Sequence, residues 1–476
     1  MSDISGVQSN PKVRFSSRSM GVKLIVVCGL ALLMMIPALF VYSLVDERTQ
    51  RAKEVTDEIS GLVGGRQSFL GPTLVIPYWV PAQTVSGATV VSATPDRGIY
   101  VIFPAQAEAT VKTHTEERHR SLFKVPVFQA DLNFNATFDL TGVPSAAPTG
   151  AVLDWNRAEI LVGVSDTRGA LADATLSVNG KTATLVPTED AEYISLGDYS
   201  GQHGKLTFFG MNAAEIAHPN APFKVTSTLR FSGAQRLAIF AYGKTTHLTM
   251  EGDWPNPSFD GGFLPVNRTI SRQGFSAEWS VPFIARGVRA EGRSNMIGSL
   301  DAKALGVSFV ELADPYQSVN RSLKYTLLFL GLLFLSYFVF EVTTGTRVHP
   351  AQYILVGMAQ IIFYLLLLSF AERIGFDWGF LLAGAATVIL LAANTGWIFS
   401  SRLQGFRALF CFSLLYALIY LLLSLEDNAL LVGAVASFLA VAAAMYFTRK
   451  IDWYSSMLPA TLQTEEVSSV VPKGKV

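Results

Sequence analysis

Two blocks of apolar sequence flank a long polar middle, and this arrangement constrains the chain more than any other feature. One run spans Leu24 to Val45, and residues 46–322 are of mixed polarity. Five more apolar runs follow, at Tyr325–Phe340, Tyr353–Ala371, Trp378–Phe399, Ala408–Leu425 and Ala429–Phe447. A helix needs about 20 residues to cross roughly 30 Å of hydrocarbon. Four of the five later runs reach that length, and Tyr325–Phe340 does so by borrowing a flank. The helices of a soluble core would need a solvated face. With 16% charged residues against 50% apolar ones, these runs have none. Six membrane spans are expected.

The first run reads as an uncleaved anchor and not as a signal peptide. It is longer than the 7–15 residues of a signal core, and no small-x-small cleavage site follows. Asp46-Glu47-Arg48-Thr49-Gln50-Arg51-Ala52-Lys53-Glu54 continues it as a polar helix. Basic residues in short loops set orientation. With the N-terminus inside, six spans place both termini inside. Lys12, Arg14, Arg18, Arg347, Arg402, Arg407, Arg449 and Lys450 then lie inside, and Arg373 is the exception in the short outer loops.

Residues 46–322 then form an outer, β-rich domain. Short β-prone runs recur at Thr73–Val80, Gly98–Phe103, Val125–Phe128, Lys205–Phe209, Pro222–Phe231, Leu237–Met250 and Gly274–Val281, and Leu132–Phe138 alternates with period two. Asn179-Gly180 between Thr175–Val178 and Lys181–Leu185 predicts a type I′ hairpin. Many short strands with Gly, Pro and Asn punctuation predict an antiparallel sandwich.

Enzyme chemistry has little to stand on. Zero net charge gives no field suited to nucleic acid. Cys28 and Cys411 lie in apolar runs, away from any disulfide framework or zinc site. None of the six histidines forms a His-Glu-x-x-His pair, and His114 and His119 beside Glu116 and Glu117 read as a solvated strand edge. Gly243-Lys244-Thr245 lacks the earlier glycine of a phosphate loop, because that position is Ala238. No catalytic residue, cofactor or metal is expected.

Polar residues in or near the spans are the candidate positions: Glu341, His349, Gln360 and Asn394. An ionisable group within a span is a functional candidate by default, although Glu341 is expected at the boundary, within reach of water and headgroups. Gln360 and Asn394 are expected to bond between helices. His349, before Pro350, is expected to cap a helix, with Arg347 held at the headgroups and paired with Glu341. Small-residue ridges at Gly379, Ala383 and Thr387 and at Ala436, Ala440 and Ala444 suit close helix packing, within a bundle or between copies.

Specific stretches resemble one family. Arg347-Val348-His349-Pro350-Ala351-Gln352-Tyr353-Ile354-Leu355-Val356-Gly357 is similar to a signature of the inner-membrane protein CreD family. So are Phe363–Ser369 with Glu372 and Ile374-Gly375-Phe376, Glu426–Leu431, and Thr448-Arg449-Lys450-Ile451-Asp452-Trp453. In the outer domain Phe263-Leu264-Pro265, Arg268, Gly274-Phe275 and Glu278-Trp279 fit the same pattern, as does Arg321–Tyr325. Asn428 and Gly379-Phe380-Leu381 depart from it.

The resemblance implies a bacterial inner-membrane protein tied to cell-envelope integrity and stress tolerance, with no catalytic residues to carry over. The expected layout is a cytoplasmic tail at 1–23, a span at 24–45, and a periplasmic β-rich domain with a juxtamembrane helix at 46–322. A bundle of five spans at 323–447 and a disordered cytoplasmic tail at 448–476 complete it. The expected role is non-enzymatic: the periplasmic domain binds a partner protein or envelope component, and the spans contact membrane lipids. The alternative is a transporter of a small molecule or lipid through the bundle.

Overall fold

A computed structural model describes residues 20–81, 96–120, 123–188, 206–216, 222–309, 315–424 and 429–449. The tail expected to be disordered lies, from residue 450 on, outside the described residues, as do residues 1–19. The chain divides into two compact units: residues 51–312, and residues 1–50 together with 313–476. The N-terminal apolar run is helical as α1 (Met20–Leu33) and α2 (Met35–Leu62), with a break at Met34. Pro37 accounts for the break, since it has no N–H to return to the Leu33 carbonyl. The ladder resumes where Ala38 N donates to Met34 O at 3.3 Å. The helix ends before Gly64 and Gly65, both at positive φ.

The unit 51–312 is built from two sheets. Its strands are β1 Gln67–Val80, β2 Asp96–Ile102, β3 Gln106–Arg120, β4 Phe123–Phe138, β5 Val152–Leu153, β6 Glu159–Val164, β7 Thr175–Val178, β8 Lys181–Thr184, β9 Val186–Pro187, β10 Thr207–Asn212, β11 Phe223–Ala234, β12 Arg236–Phe240, β13 Thr245–Gly252, β14 Pro257–Gly261, β15 Asn267–Ser271, β16 Gly274–Val281, β17 Glu291–Arg293 and β18 Ala304–Phe309, with a one-turn helix α3 at Phe283–Arg286. One sheet runs β14-β18-β12-β1-β6-β10-β9, with β2 and β5 also on β1 and β17 on β2; the other runs β15-β16-β13-β3-β4-β11-β7-β8. Alternate residues of β4 (Ala130, Leu132, Phe134, Ala136, Phe138) point into one continuous core shared with Phe69, Leu74 and Ile160 of the other sheet.

The pairing is antiparallel, as expected, except at two places. β1 pairs with β12, and β3 with β13, in parallel. The expected single run Leu237–Met250 is two strands, one in each sheet. The chain leaves one sheet at Phe240 and enters the other at Thr245, beside strands placed far earlier. A return over so long a crossover allows parallel pairing. Two expected strands, Val125–Phe128 and Leu132–Phe138, are the single β4. Asn179 (φ 48°) and Gly180 (φ 87°) make the β7–β8 hairpin turn that the sequence predicts. β3 lies between β13 and β4, but β13 stops opposite Thr113, which leaves His114–Arg120 with β4 on one side.

The C-terminal part is helical: α4 Pro315–Lys324, α5 Thr326–Thr344, α6 Pro350–Ile374, α7 Phe376–Ile398, α8 Arg402–Ser424 and α9 Ala429–Thr448. The N-terminal helix and α5 to α8 are long and apolar enough to cross a membrane. Gly345 (φ 68°) closes α5, its N–H returning to Glu341 O at 3.0 Å. Leu381, Ile389 and Phe410 point outward, as lipid-facing side chains do, and Trp378 and Trp397 are exposed at the two ends of α7. The ridge Gly379, Ala383 and Thr387 is buried within the chain, so it packs the bundle. The side chains of Ala436, Ala440 and Ala444 lie outside the described residues.

Candidate functional site

The carboxylate of Glu341, near the end of α5, is 3% exposed, which corrects the expectation of a water-accessible boundary residue. Burial of a charge requires donors around it. The Lys23 ammonium pairs with Oε1, Val348 N–H donates to Oε1 at 2.9 Å, and the Tyr353 hydroxyl donates to Oε2 at 3.0 Å. Lys23 also donates to Val348 O at 2.8 Å. The Glu341 partner is therefore Lys23 and not Arg347, which is exposed. Lys23 wins because α1 packs beside α5, while Arg347 is exposed on the α5–α6 turn. The knot ties α1, α5 and α6 together.

His349 is the N-cap of α6, its Nδ1 accepting from Ala351 N–H at 3.2 Å, and Pro350 fills the first helical position, where no N–H partner is needed. His349 and Glu341 both flank Val348, but the His349 side chain is exposed and the Glu341 carboxylate is buried.

A polar stripe continues inward from the knot. Tyr337, one turn before Glu341, donates to Leu391 O at 3.0 Å and stacks on Phe412 with centroids 5.5 Å apart. The Thr395 hydroxyl lies 2.9 Å from it, and Asn394 Nδ2 reaches it only at 3.5 Å. Further along, the Tyr416 hydroxyl donates to Gln360 Oε1 at 2.6 Å. Both Gln360 and Asn394 thus contact another helix, Gln360 tightly and Asn394 weakly. Gln360 Nε2, Tyr364 OH and Thr326 Oγ1 are buried with no hydrogen-bond partner among the described residues. The structure places Glu341, Gln360 and Asn394 along one polar seam and His349 outside it.

Sequence reading missed the residues that complete the seam. Tyr353 and Tyr364 fall seven residues before and four after Gln360 on α6, a one-face spacing that signals a polar stripe. Lys23 carried no such signal, since its partner lies 318 residues away.

The β unit holds a second polar site, also absent from the sequence reading. A cavity of about 460 Å³ is lined by Asp139, Thr141, Ser145, Lys244, Arg289 and Glu291. Glu291 is 8% exposed; its Oε1 accepts from Ser145 N at 3.0 Å and from the Ser145 hydroxyl, while Oε2 is buried without a hydrogen-bond partner. Burial, and then the Glu291 carboxylate, pushes the Tyr100 hydroxyl above its ordinary range.

Behind the rim, Arg286 is fully buried over the Phe103 ring at 4.1 Å, and its Nε donates to Ala241 O at 2.8 Å. Burial lowers Arg286 to about 10, so it stays charged at neutral pH. Its second nitrogen donates to Val288 O and Arg289 O at 3.4 and 3.3 Å. Arg286 thereby fixes the two chain segments that carry Lys244 and Arg289. The histidines of β3 are elsewhere: His114 Nδ1 pairs with Asp253 at 2.6 Å. In the family-like stretch Phe263-Leu264-Pro265, Trp279 Nε1 donates to Phe263 O at 3.1 Å, a structural tie.

The family described as "Inner membrane protein CreD" matches residues 19–454. The protein named "Inner membrane protein CreD" of Escherichia coli (strain K12) is 30% identical over 450 residues, covering 93% of this chain and 95% of that protein.

Proposed function

Because the chain belongs to the inner membrane protein CreD family, we propose that it is a non-enzymatic envelope protein whose residues 51–312 lie in the periplasm and bind a partner protein or envelope component. On this reading the helices anchor and position the β unit, both termini are cytoplasmic, and the protein contributes to envelope integrity under stress. Basic residues flanking the spans support that orientation. The observation that carries the binding role is the charged cavity of the β unit. Glu291, Asp139, Lys244 and Arg289 all line one opening. Such a cavity suits a ligand that carries both N–H or O–H donors and an anionic group.

Two experiments test it. Reporter fusions at Gly201 and Asp427 should read periplasmic, and fusions at Gly345 and Gln404 cytoplasmic; a cytoplasmic signal at Gly201 contradicts the arrangement. A photoreactive residue at Thr141 should crosslink an envelope component in cells, and Lys244→Glu with Arg289→Glu should abolish that adduct. An adduct unchanged by the charge reversal rejects the cavity as the binding site.

Transport of a small molecule or lipid is a second reading, and one observation favours it. Thr326, Gln360 and Tyr364 bring three buried polar side chains together inside the bundle. An intramembrane site of that kind suits a passing polar solute or a bound water.

A further inference from the structure

The bundle carries a groove that neither the fold nor the proposed binding role uses. It lies between α5, α8 and α9, and its volume is about 550 Å³. Its floor is apolar, with Leu332, Leu335 and Val339 from α5 facing Leu414 and Leu418 from α8. One end is polar: Thr343, Gln404 and Arg407 close it. From Leu332 to Thr343 is 11 residues on α5, about 16 Å at the helical rise. That matches one leaflet, half of a ~30 Å hydrocarbon core. Arg407 is exposed and makes no ion pair among the described residues. An apolar slot of one-leaflet depth with a cation at its wet end is complementary to a lipid with a negative headgroup.

We propose that this groove is a binding site for an anionic glycerophospholipid drawn from the bilayer, with one acyl chain along Leu332–Val339 and Leu414–Leu418 and the phosphate on Arg407. The guanidinium offers paired N–H donors to phosphate oxygens, and Gln404, one turn away, adds an amide donor. Basic pockets between spans are a recurrent setting for such headgroups. The proposal is independent of the periplasmic reading, because it uses only residues of the helical unit.

The test is binding of phosphatidylglycerol against phosphatidylcholine to the full chain in detergent, read by intact-complex mass spectrometry. Phosphatidylglycerol should bind roughly fivefold to tenfold more tightly, as expected for one cation at a headgroup. Arg407→Gln should remove the preference. Arg402→Gln, at the same end of α8 but outside the groove, should keep it. Ser336→Phe should fill the slot and weaken both lipids.

Equal binding of the two lipids by the native protein overturns the proposal, and so does an equal loss in Arg402→Gln, which would indicate diffuse surface attraction. A readout on the native side chains guards against misfolded variants. Cys411 lines the groove. In a Cys28→Ala background its maleimide labelling should slow in phosphatidylglycerol nanodiscs relative to phosphatidylcholine nanodiscs. Identical rates reject the site.

Discussion

The ammonium of Lys23 on the first helix closes on the carboxylate of Glu341 at the end of α5, an ion pair spanning 318 residues of sequence. Glu341 is 3% exposed and takes donors from Val348 and Tyr353 as well. Removing one partner of a buried pair leaves an uncompensated charge and costs about 3–5 kcal/mol, while replacing both with apolar groups is often neutral. Glu341→Leu and Lys23→Met should therefore each lower the thermal midpoint of the detergent-solubilised protein sharply. The double variant should recover most of the loss. A double variant as unstable as the sum of the singles would show that the two side chains act separately.

Gly357 lies against the break in the N-terminal helix. A Cβ on it would sit 2.7 Å from Met34 Cγ, a distance real Cβ atoms do not show. Gly357→Val should destabilise the bundle by about 1–3 kcal/mol through overpacking. Adding Met34→Ala should restore part of the loss, since the clash is with that side chain. Thermal melts of the four proteins of this cycle decide it: purely additive effects would mean that Gly357 acts through its own backbone.

Alkaline pH should weaken the β unit. Burial raises Tyr100 and Tyr242 above the ordinary tyrosine range. Their contribution to stability is fully present below about pH 10, the unfolded tyrosine value, and is lost as pH rises through the folded values. Arg286, lowered by burial to about 10, works in the opposite direction over the same window, one group against two. Denaturant unfolding should accordingly show lower stability at pH 11 than at pH 8.5. The combined Tyr100→Phe and Tyr242→Phe variant should lose that drop. An unchanged drop would assign it to other groups.

The β unit should fold alone, and more stably with its helical lead-in than without it. Val55 and Ile59 are buried against Val125, and Arg120 pairs with Glu58 at 2.5 Å. Two buried aliphatic side chains contribute roughly 3 kcal/mol. Residues 51–312 expressed alone should give a β-dominated circular dichroism spectrum and a cooperative melt, and residues 66–312 a less stable one. Equal stability would remove residues 51–65 from the folding unit.

How much of this was legible follows from local pattern. The spans could be read because an apolar run of helical length has few alternatives in water. The β7–β8 turn could be read because Asn179-Gly180 supplies two positive-φ residues. β3 was read only at its exposed end, around His114 and His119, because its alternating half turns the small Ala107 and Ala109 inward, which carry little apolar signal. β12 and β13 merged because the chain changes sheets through Ala241-Tyr242, both fully buried, which carries the apolar run on to Gly243-Lys244. Glu341, Gln360 and Asn394 stood out as polar residues in apolar helices. Lys23, Arg286 and Glu291 did not, because only tertiary contacts distinguish them from ordinary charged residues.

On the proposed function the β-unit cavity is the working site and the bundle seam its support. The most direct measurement is envelope-stress tolerance of cells carrying variants matched for membrane abundance. Lys244→Glu with Arg289→Glu should abolish tolerance, because both charges rim the cavity. Gln360→Leu with Tyr416→Phe, which removes the 2.6 Å bond inside the bundle, should leave it intact. Tolerance lost in the bundle variant and kept in the cavity variant would contradict the account and make the bundle interior the site of function.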